Sequence, residues 1–206
     1  MPRSDSSGHV RNSRDDVVAA ALEILDRQGL PDLTMRHLAA TLEVAPSALY
    51  WHFPNKQSLL AAVSDRIIAG ARPAGPRARA DDWRAAVRAE AGALHDALLA
   101  YKDGAEVVSS TLALGLGAEA LQDRLVAALG SGGFDERTTS LAAETMVHFI
   151  VGHAFHRQQR IQADTLGAVA GAHSVDNENP VAREPQAFDL GITLLVAGLD
   201  AQVRRP

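Results

Sequence analysis

The chain has 206 residues and a formal net charge of −5, with 47% hydrophobic and only 4% aromatic residues. This length suits one or two small domains with a real core, and the absence of cysteine excludes disulfides and thiolate sites. No apolar run reaches the length of a membrane-spanning helix, and residues 1–8 lack the apolar centre of a secretory signal. We therefore expect a cytoplasmic protein with no membrane partner. The negative charge argues weakly against nucleic-acid binding.

The N-terminal segment predicts a flexible arm over residues 1–13, followed by a first helix. Ser13 and Asp16 have the spacing of a capping box, which indicates that a helix begins at residue 14. Apolar residues follow at helical spacing as far as Gly29, which ends this helix.

Residues 34–53 predict two short helices joined by a tight turn. Thr34 can cap the first helix, and Pro46 suits the first position of the second, where no N–H partner is needed. Glu43 lies in the turn, at a position often occupied by glycine because a left-handed conformation costs other residues roughly 1–2 kcal/mol. The apolar side chains that would pack the two helices together are Leu38, Leu42, Val44 and Leu49.

This pair of helices has two interpretations. A helix-turn-helix unit places its second helix in the major groove of DNA, whereas an ordinary helical hairpin would only contribute to a core. Tyr50, Trp51 and His52 crowd the end of the second helix with polar and bulky side chains, which favours DNA binding. We therefore predict a helix-turn-helix domain over residues 14–56.

The rest of the chain predicts a connecting helix over residues 57–72 and a C-terminal domain over residues 73–206. Residues 72–76 have the composition of a linker. Helices are then predicted from about 81 to 101, from 104, from 118 to 129, from 135 to 164 and from 185 to 203. Residues 165–185 predict a mobile loop with room for one short helical turn. With no strand pattern and no repeat, the prediction is an all-α protein of about nine helices.

Four motifs give the chain a family resemblance. Residues 33–39 (LTMRHLA) and 49–56 (LYWHFPNK) resemble the TetR repressor family. Residues 101–105 (YKDGA) and 188–200 (FDLGITLLVAGLD) resemble its tetracycline-repressor branch, so that the resemblance covers roughly residues 14–203. It implies a three-helix DNA-binding domain followed by a helical domain that binds a ligand and dimerises.

The resemblance also implies which residues meet double-stranded DNA. Arg36 would be bidentate to a guanine, residues 46–48 would face bases, and Tyr50, His52 and Lys56 would contact phosphates. Trp51 fits equally well in the core at the helix end. Residues 1–56 carry six basic and seven acidic side chains, so affinity must depend on where the charges lie and on dimerisation. The expected DNA-binding residues are Thr34, Arg36, Pro46, Ser47, Ala48, Tyr50, Trp51, His52 and Lys56.

A ligand pocket is implied in the C-terminal domain. Val108 stands where the tetracycline repressors have a metal-ligating histidine, and Glu90 stands where they have an asparagine that holds the drug. We therefore expect an amphipathic, multi-ring effector rather than tetracycline–magnesium, with no metal or other cofactor. Glu90 could pair with Arg72 or Arg124, bind a cationic group on the ligand, or remain solvated at the rim. The expected lining is Arg72, Glu90, Leu94, Val108, Thr111, Arg124, Ala143 and Val147.

Two helices carry apolar ridges that predict a homodimer, built as a four-helix bundle with two helices from each subunit. The alternative is that they fill the core of a monomer. Gly191 and Gly198 would allow close approach of the partner, and a two-fold dimer implies a palindromic operator. The expected interface residues are Ile150, Val151, Ala154, Leu190, Leu194 and Ala197.

His148, His153 and His156 raise the possibility of a metal site. Three ligands on one helix cannot all converge, and no well-placed carboxylate accompanies them, so packed or interface histidines with an effect of pH are favoured.

The favoured function is a ligand-responsive homodimeric repressor that is released from its operator by a small amphipathic molecule. We expect no enzymatic activity, because the sequence has no phosphate-binding loop, nucleophile elbow or metal-ligand spacing. The alternatives are an activator, or a helical small-molecule-binding protein that does not bind an operator.

Overall fold

The computed structural model describes residues 12–75, 78–79, 81–117, 119–165 and 180–203. Within these residues the chain forms nine helices and no strands, so the all-α prediction is confirmed. The helices are α1 (Arg14–Gln28), α2 (Met35–Thr41), α3 (Pro46–Tyr50), α4 (Lys56–Ala69), α5 (Trp83–Leu99), α6 (Gly104–Ala113), α7 (Glu119–Leu129), α8 (Glu136–Thr165) and α9 (Pro180–Val203).

Local hydrogen bonds fix where three of the first four helices begin. The Ser13 hydroxyl accepts from the Asp16 amide at 3.1 Å, and the Thr34 hydroxyl accepts from the His37 amide at 3.1 Å. The Asn55 side chain accepts from the Ser58 amide at 2.8 Å. Each bond satisfies a backbone N–H that the first turn of a helix leaves free, as the sequence predicted for Ser13 and Thr34.

The loop predicted between α8 and α9 is too long at both ends. Thr165 belongs to α8, residues 180–185 belong to α9, and residues 166–179 lie outside the described residues. Pro185 was expected at the first position of the last helix, but it lies inside that helix. Proline removes one backbone hydrogen bond there, which a long, packed helix can tolerate near its N-terminal end.

The N-terminal half packs around α4. Leu38 and Ala39 of α2, Leu49 of α3 and the following Phe53 are buried beneath the helix-turn-helix. Glu43 has φ 54°, so the turn does use the left-handed conformation that usually favours glycine. α4 contacts α1 on one side and α6 and α7 on the other, and therefore joins the two halves of the molecule.

Asp103, at the turn before α6, fastens the end of α1 to the C-terminal half. It is 5% exposed, and its carboxylate accepts from the Leu30 amide at 2.8 Å and from the Gln162 side chain of α8. Beside it, the Lys102 ammonium donates to the Gln28 carbonyl at 3.2 Å. A buried carboxylate with donors on both sides is rigidly held, so this junction resists relative motion of α1 and α8.

α5, α8 and α9 meet in an aromatic cluster around His95. His95 is 3% exposed, stacks on Phe188 at 4.1 Å between ring centroids, and lies 3.0 Å from His153 through Nε2 and Nδ1. Burial, together with the nearby His153 and Arg157, lowers the pKa of His95 to about 4. Gly191 faces the Phe149 ring in the same chain, and a Cβ there would overlap the ring. The close approach expected at Gly191 is therefore made within one chain.

We expect Asp103→Ala to lower the free energy of unfolding by about 1–3 kcal/mol, because it leaves the partly buried Leu30 amide and Gln162 side chain without their acceptor. Asp103→Asn keeps one acceptor oxygen and tolerates the left-handed backbone at φ 56°, so it should lose less. Urea unfolding at fixed protein concentration measures both. Equal losses for the two variants would contradict the role of the carboxylate oxygens.

We expect the protein to lose stability as pH falls from 6.5 to 4, at up to about 1.4 kcal/mol per pH unit from His95 alone. The unfolded chain takes up a proton at His95 in this range, whereas the folded chain holds the residue neutral down to about pH 4. Urea unfolding at several pH values should give a shallower slope for His95→Phe. His148→Gln removes an exposed histidine of α8 and should leave the slope unchanged.

Candidate DNA interface and ligand cavity

The α2–α3 unit presents polar and aromatic side chains to solvent. Tyr50 is 51% exposed and Trp51 is 90% exposed, at the end of a helix whose Leu49 is buried. The exposure of Trp51 removes the alternative that it packs in the core. A large aromatic side chain that is exposed to solvent, next in the chain to a helix fixed by the buried Leu49, is suited to contact with another molecule.

The other predicted DNA-binding residues lie on the same unit and at the start of α4. Arg36 and Thr34 are exposed on α2 and at its cap, and Pro46 and Ser47 are exposed at the start of α3. Ala48, His52 and Lys56 are partly buried. All nine residues therefore lie on or beside α2, α3 and the start of α4 with exposed or partly exposed side chains, and their roles at DNA stay predictions.

A cavity of about 640 Å³ lies between α5, α7 and the segment that follows α4. We call it the α5–α7 cavity. The helices contribute mostly alanine side chains to its wall, with one acidic and one basic residue. These residues are Ala86, Ala89, Glu90, Arg124, Ala127 and Ala128.

Arg124 joins three elements at this cavity. Its guanidinium pairs with Glu90 of α5 through Nε, and donates through Nη1 to the Ile68 carbonyl at 2.9 Å and through Nη2 to the Ala71 carbonyl at 3.1 Å. The Ile68 carbonyl lies in the last turn of α4, where it also accepts from the Ala71 amide at 3.0 Å, and the Ala71 carbonyl lies two residues beyond the end of the helix. Among the partners considered for Glu90 from the sequence, the structure therefore selects Arg124. Arg72 instead donates to the carbonyls of Ala69 and Ala71.

Two of the eight predicted pocket residues, Glu90 and Arg124, are on the wall of the α5–α7 cavity. Arg72 is exposed, and the other five are buried in the core, because their faces of α5, α6 and α8 pack against neighbouring helices. The Thr111 hydroxyl is satisfied by the Val107 and Val108 carbonyls of its own helix. The buried five are Leu94, Val108, Thr111, Ala143 and Val147.

The alanines of the cavity wall were not among the pocket residues expected from the sequence. Ala86 and Ala89 on α5, and Ala127 and Ala128 on α7, recur with Glu90 and Arg124 at spacings of one, three or four residues. Small residues in this pattern next to a charge leave space on one face of a helix, which is the signal that could have located the cavity.

The predicted dimer residues separate into two groups. Ile150, Val151 and Ala154 are buried in the core of a single chain, so their side chains have no surface for a second copy, and this part of the prediction is corrected. Leu190 and Leu194 of α9 are 59% and 63% exposed, and Ala197 is also exposed. A groove of about 260 Å³ between α8 and α9 runs beside them and includes Leu194 and Met146.

The three histidines of α8 lie in different surroundings. His153 lies against His95, His156 lies edge-on to Phe155, and His148 is exposed. Within the described ranges, no group of three or more histidine, cysteine or acidic side chains could hold a metal ion. In the same ranges, no helix is both long and apolar enough to cross a membrane.

Two family models match the chain. The model of the bacterial regulatory proteins of the tetR family matches residues 17–63. The model of the tetracyclin repressor-like C-terminal domain matches residues 75–179. The first contains the exposed α2–α3 surface, and the second contains the α5–α7 cavity.

Individual proteins resemble the chain over nearly its full length. The tetracycline repressor protein class C of Escherichia coli is 31% identical over 91% of this chain and 90% of its own. The crystal structure of Mycobacterium smegmatis BioQ has a TM-score of 0.77 at 39% identity, covering 92% of this chain and 98% of that one. A structure of BioQ with its double-stranded DNA operator has a TM-score of 0.73 at 37% identity, covering 92% and 99%. The chain described here therefore belongs to the tetR family of bacterial regulatory proteins and is a DNA-binding transcriptional regulator.

Proposed function

We propose that the protein is a homodimeric repressor that leaves a palindromic operator when a small amphipathic molecule enters the α5–α7 cavity. The observation that carries the proposal is the exposed α2–α3 surface, where Trp51 is 90% exposed above the buried Leu49 and Phe53. In this proposal the protein acts in the cytoplasm, and it has neither a catalytic activity nor a cofactor.

A dimer follows from how little DNA one copy can read. α3 has five residues, so a single recognition helix reaches few base edges, and two copies related by a two-fold axis read two half-sites. The exposed leucines of α9 offer an apolar surface for that contact. The structure of BioQ on its operator supports double-stranded DNA as the partner.

The effector proposed here differs from a metal-bound drug. One relative is named a tetracycline repressor, which supports a small-molecule effector in this domain. In this chain, however, Val108 is fully buried and has no metal-binding atom, and the cavity wall is made of alanines around one ion pair. An amphipathic organic molecule suits these walls better than a magnesium complex.

The route from cavity to DNA runs along α4. Its C-terminal end is held by Arg124 at the cavity, and its first residue, Lys56, belongs to the predicted DNA surface. The helix has 14 residues and spans about 21 Å. A ligand that shifts the C-terminal end of α4 would change the separation of the two recognition helices, and a coupling of about 1–3 kcal/mol is typical of such systems.

We expect Arg36→Ala to weaken operator binding by about 1–3 kcal/mol and to relax specificity at one base pair. The measurement is fluorescence anisotropy on DNA from the protein's own upstream region, or on DNA selected from a random library, across a salt series. Wild-type binding should be saturable and should weaken as salt rises, because phosphate contacts release counterions.

The matched control for this experiment is Arg27→Ala. Arg27 is also an exposed arginine, but it lies at the end of α1, next to the contact that Gln28 makes with Lys102 of the C-terminal half. It should leave operator affinity nearly unchanged. If the wild-type protein prefers no sequence over random DNA, the small-molecule-binding alternative replaces repression. An operator complex that ligand strengthens would indicate an activator.

We expect Leu194→Arg to raise the dimer dissociation constant at least about a hundredfold, because each two-fold interface would lose two buried leucines and gain two unpaired charges. Sedimentation over a range of protein concentrations measures this constant. Leu114→Arg changes a comparably exposed leucine, 55% against 63%, in the turn after α6, and should leave it unaffected. Equal dimer dissociation constants for the two variants would contradict the proposal that Leu194 of α9 lies in the dimer interface.

A further inference from the structure

The Glu90–Arg124 pair lies on the wall of the α5–α7 cavity without being closed off from it. The side chain of Glu90 is 15% exposed and that of Arg124 is 25% exposed. Arg124 engages Oε1 of Glu90, and a carboxylate has a second oxygen with which to accept. The pair is therefore available to a ligand from the cavity.

Glu90 is the acidic side chain of the described cavity lining, and its partner meets its charge only in part. Arg124 engages one oxygen of Glu90 through Nε and uses Nη1 and Nη2 for the Ile68 and Ala71 carbonyls. Arg72 donates to the Ala69 and Ala71 carbonyls rather than to Glu90, and Arg79 of the cavity wall is 84% exposed and bonds to Asp81. The second oxygen of Glu90 is therefore the acceptor that a cationic donor in the cavity can reach.

The parts of the cavity wall that α5 and α7 contribute beside the ion pair are apolar. Ala86 and Ala89 of α5 face Ala127 and Ala128 of α7 across the cavity. Methyl groups on two sides accept a broad apolar body without offering it hydrogen bonds. A molecule that fills this space therefore gains from apolar contact, and it gains further if it brings a cation to Glu90.

We propose that the effector is an amphipathic organic cation, whose ammonium or similar group donates to Glu90 while its apolar body lies on the alanine wall. This inference rests on the proposed function and specifies its ligand. The cation competes with Arg124 for Glu90. Arg124 then shifts relative to the Ile68 and Ala71 carbonyls, which alters the hold on the end of α4.

The test compares three probes that share one apolar body. Pyrenemethylammonium is cationic, pyrenemethanol is neutral and pyrenecarboxylate is anionic, and pyrene fluorescence reports the binding of each to the full chain. We expect the cation to bind the wild-type protein about tenfold more tightly than the alcohol, and the carboxylate to bind no better than the alcohol. Equal affinities, a preference for the carboxylate, or no saturable binding of the cation would overturn the proposal.

Two variants should change the cation preference in opposite directions. Glu90→Gln removes the charge that the cation meets and should abolish its advantage over the alcohol. Arg124→Gln removes the competitor and should increase that advantage by about tenfold. Because the signs are opposite, the second variant still decides the question if the first fails to fold, which circular dichroism would reveal. Arg88→Gln is the control, because Arg88 is an exposed arginine of α5 that does not belong to the cavity lining, and it should leave the preference unchanged.

Operator binding is measured separately, first without a probe. A retained cation preference without operator binding would refute the proposed function and leave the cation site standing, and the reverse result would refute only the cation site. With saturating pyrenemethylammonium, the operator dissociation constant of the wild-type protein should change at least about fivefold. An unchanged constant would overturn the coupling through Arg124.

Discussion

The link between the two halves of this regulator depends on how the C-terminal end of α4 is satisfied. Arg124 of α7 donates to the Ile68 carbonyl in the last turn of α4 and to the Ala71 carbonyl just beyond it. The same guanidinium pairs with Glu90 of α5. A single side chain thus links the end of α4 to both helices that carry the cavity wall, and these polar contacts join the cavity to α4 in addition to the packing of the hydrophobic core.

A second junction works differently. The buried Asp103 carboxylate accepts hydrogen bonds from the Leu30 amide just after α1 and from the Gln162 side chain of α8. None of these three residues lines the α5–α7 cavity. One end of the DNA-binding half is thereby fixed to the C-terminal half, while the end of α4 accepts hydrogen bonds from Arg124, whose ion pair with Glu90 a ligand can contest. A body fixed at one point and adjustable at another can pivot, which is the kind of motion that changes the spacing of two recognition helices.

Local signals made much of this fold predictable. The caps Ser13, Thr34 and Asn55 each act within three residues, and the left-handed turn at Glu43 follows from the pattern of the helix-turn-helix. The bonds of Arg124 to Ile68 and Ala71 span 56 and 53 residues and end on backbone carbonyls, which carry no side-chain identity for a sequence to reveal. Sequence pattern alone also does not distinguish the inward-facing Ile150, Val151 and Ala154 from residues that face a partner, since a buried face and an interface face are both apolar.

The Glu90–Arg124 pair is also a weak candidate for a purely stabilising role. Removing two charged groups from water costs several kcal/mol, and the attraction between partly buried partners repays that cost only in part. Apolar residues of similar volume would hold α5 against α7 about as well. What the ion pair adds is polarity on helical walls that are otherwise made of alanine, together with a bond that a ligand can contest. The physical chemistry of the pair therefore fits a bond that a ligand can break better than a contact that only stabilises the fold.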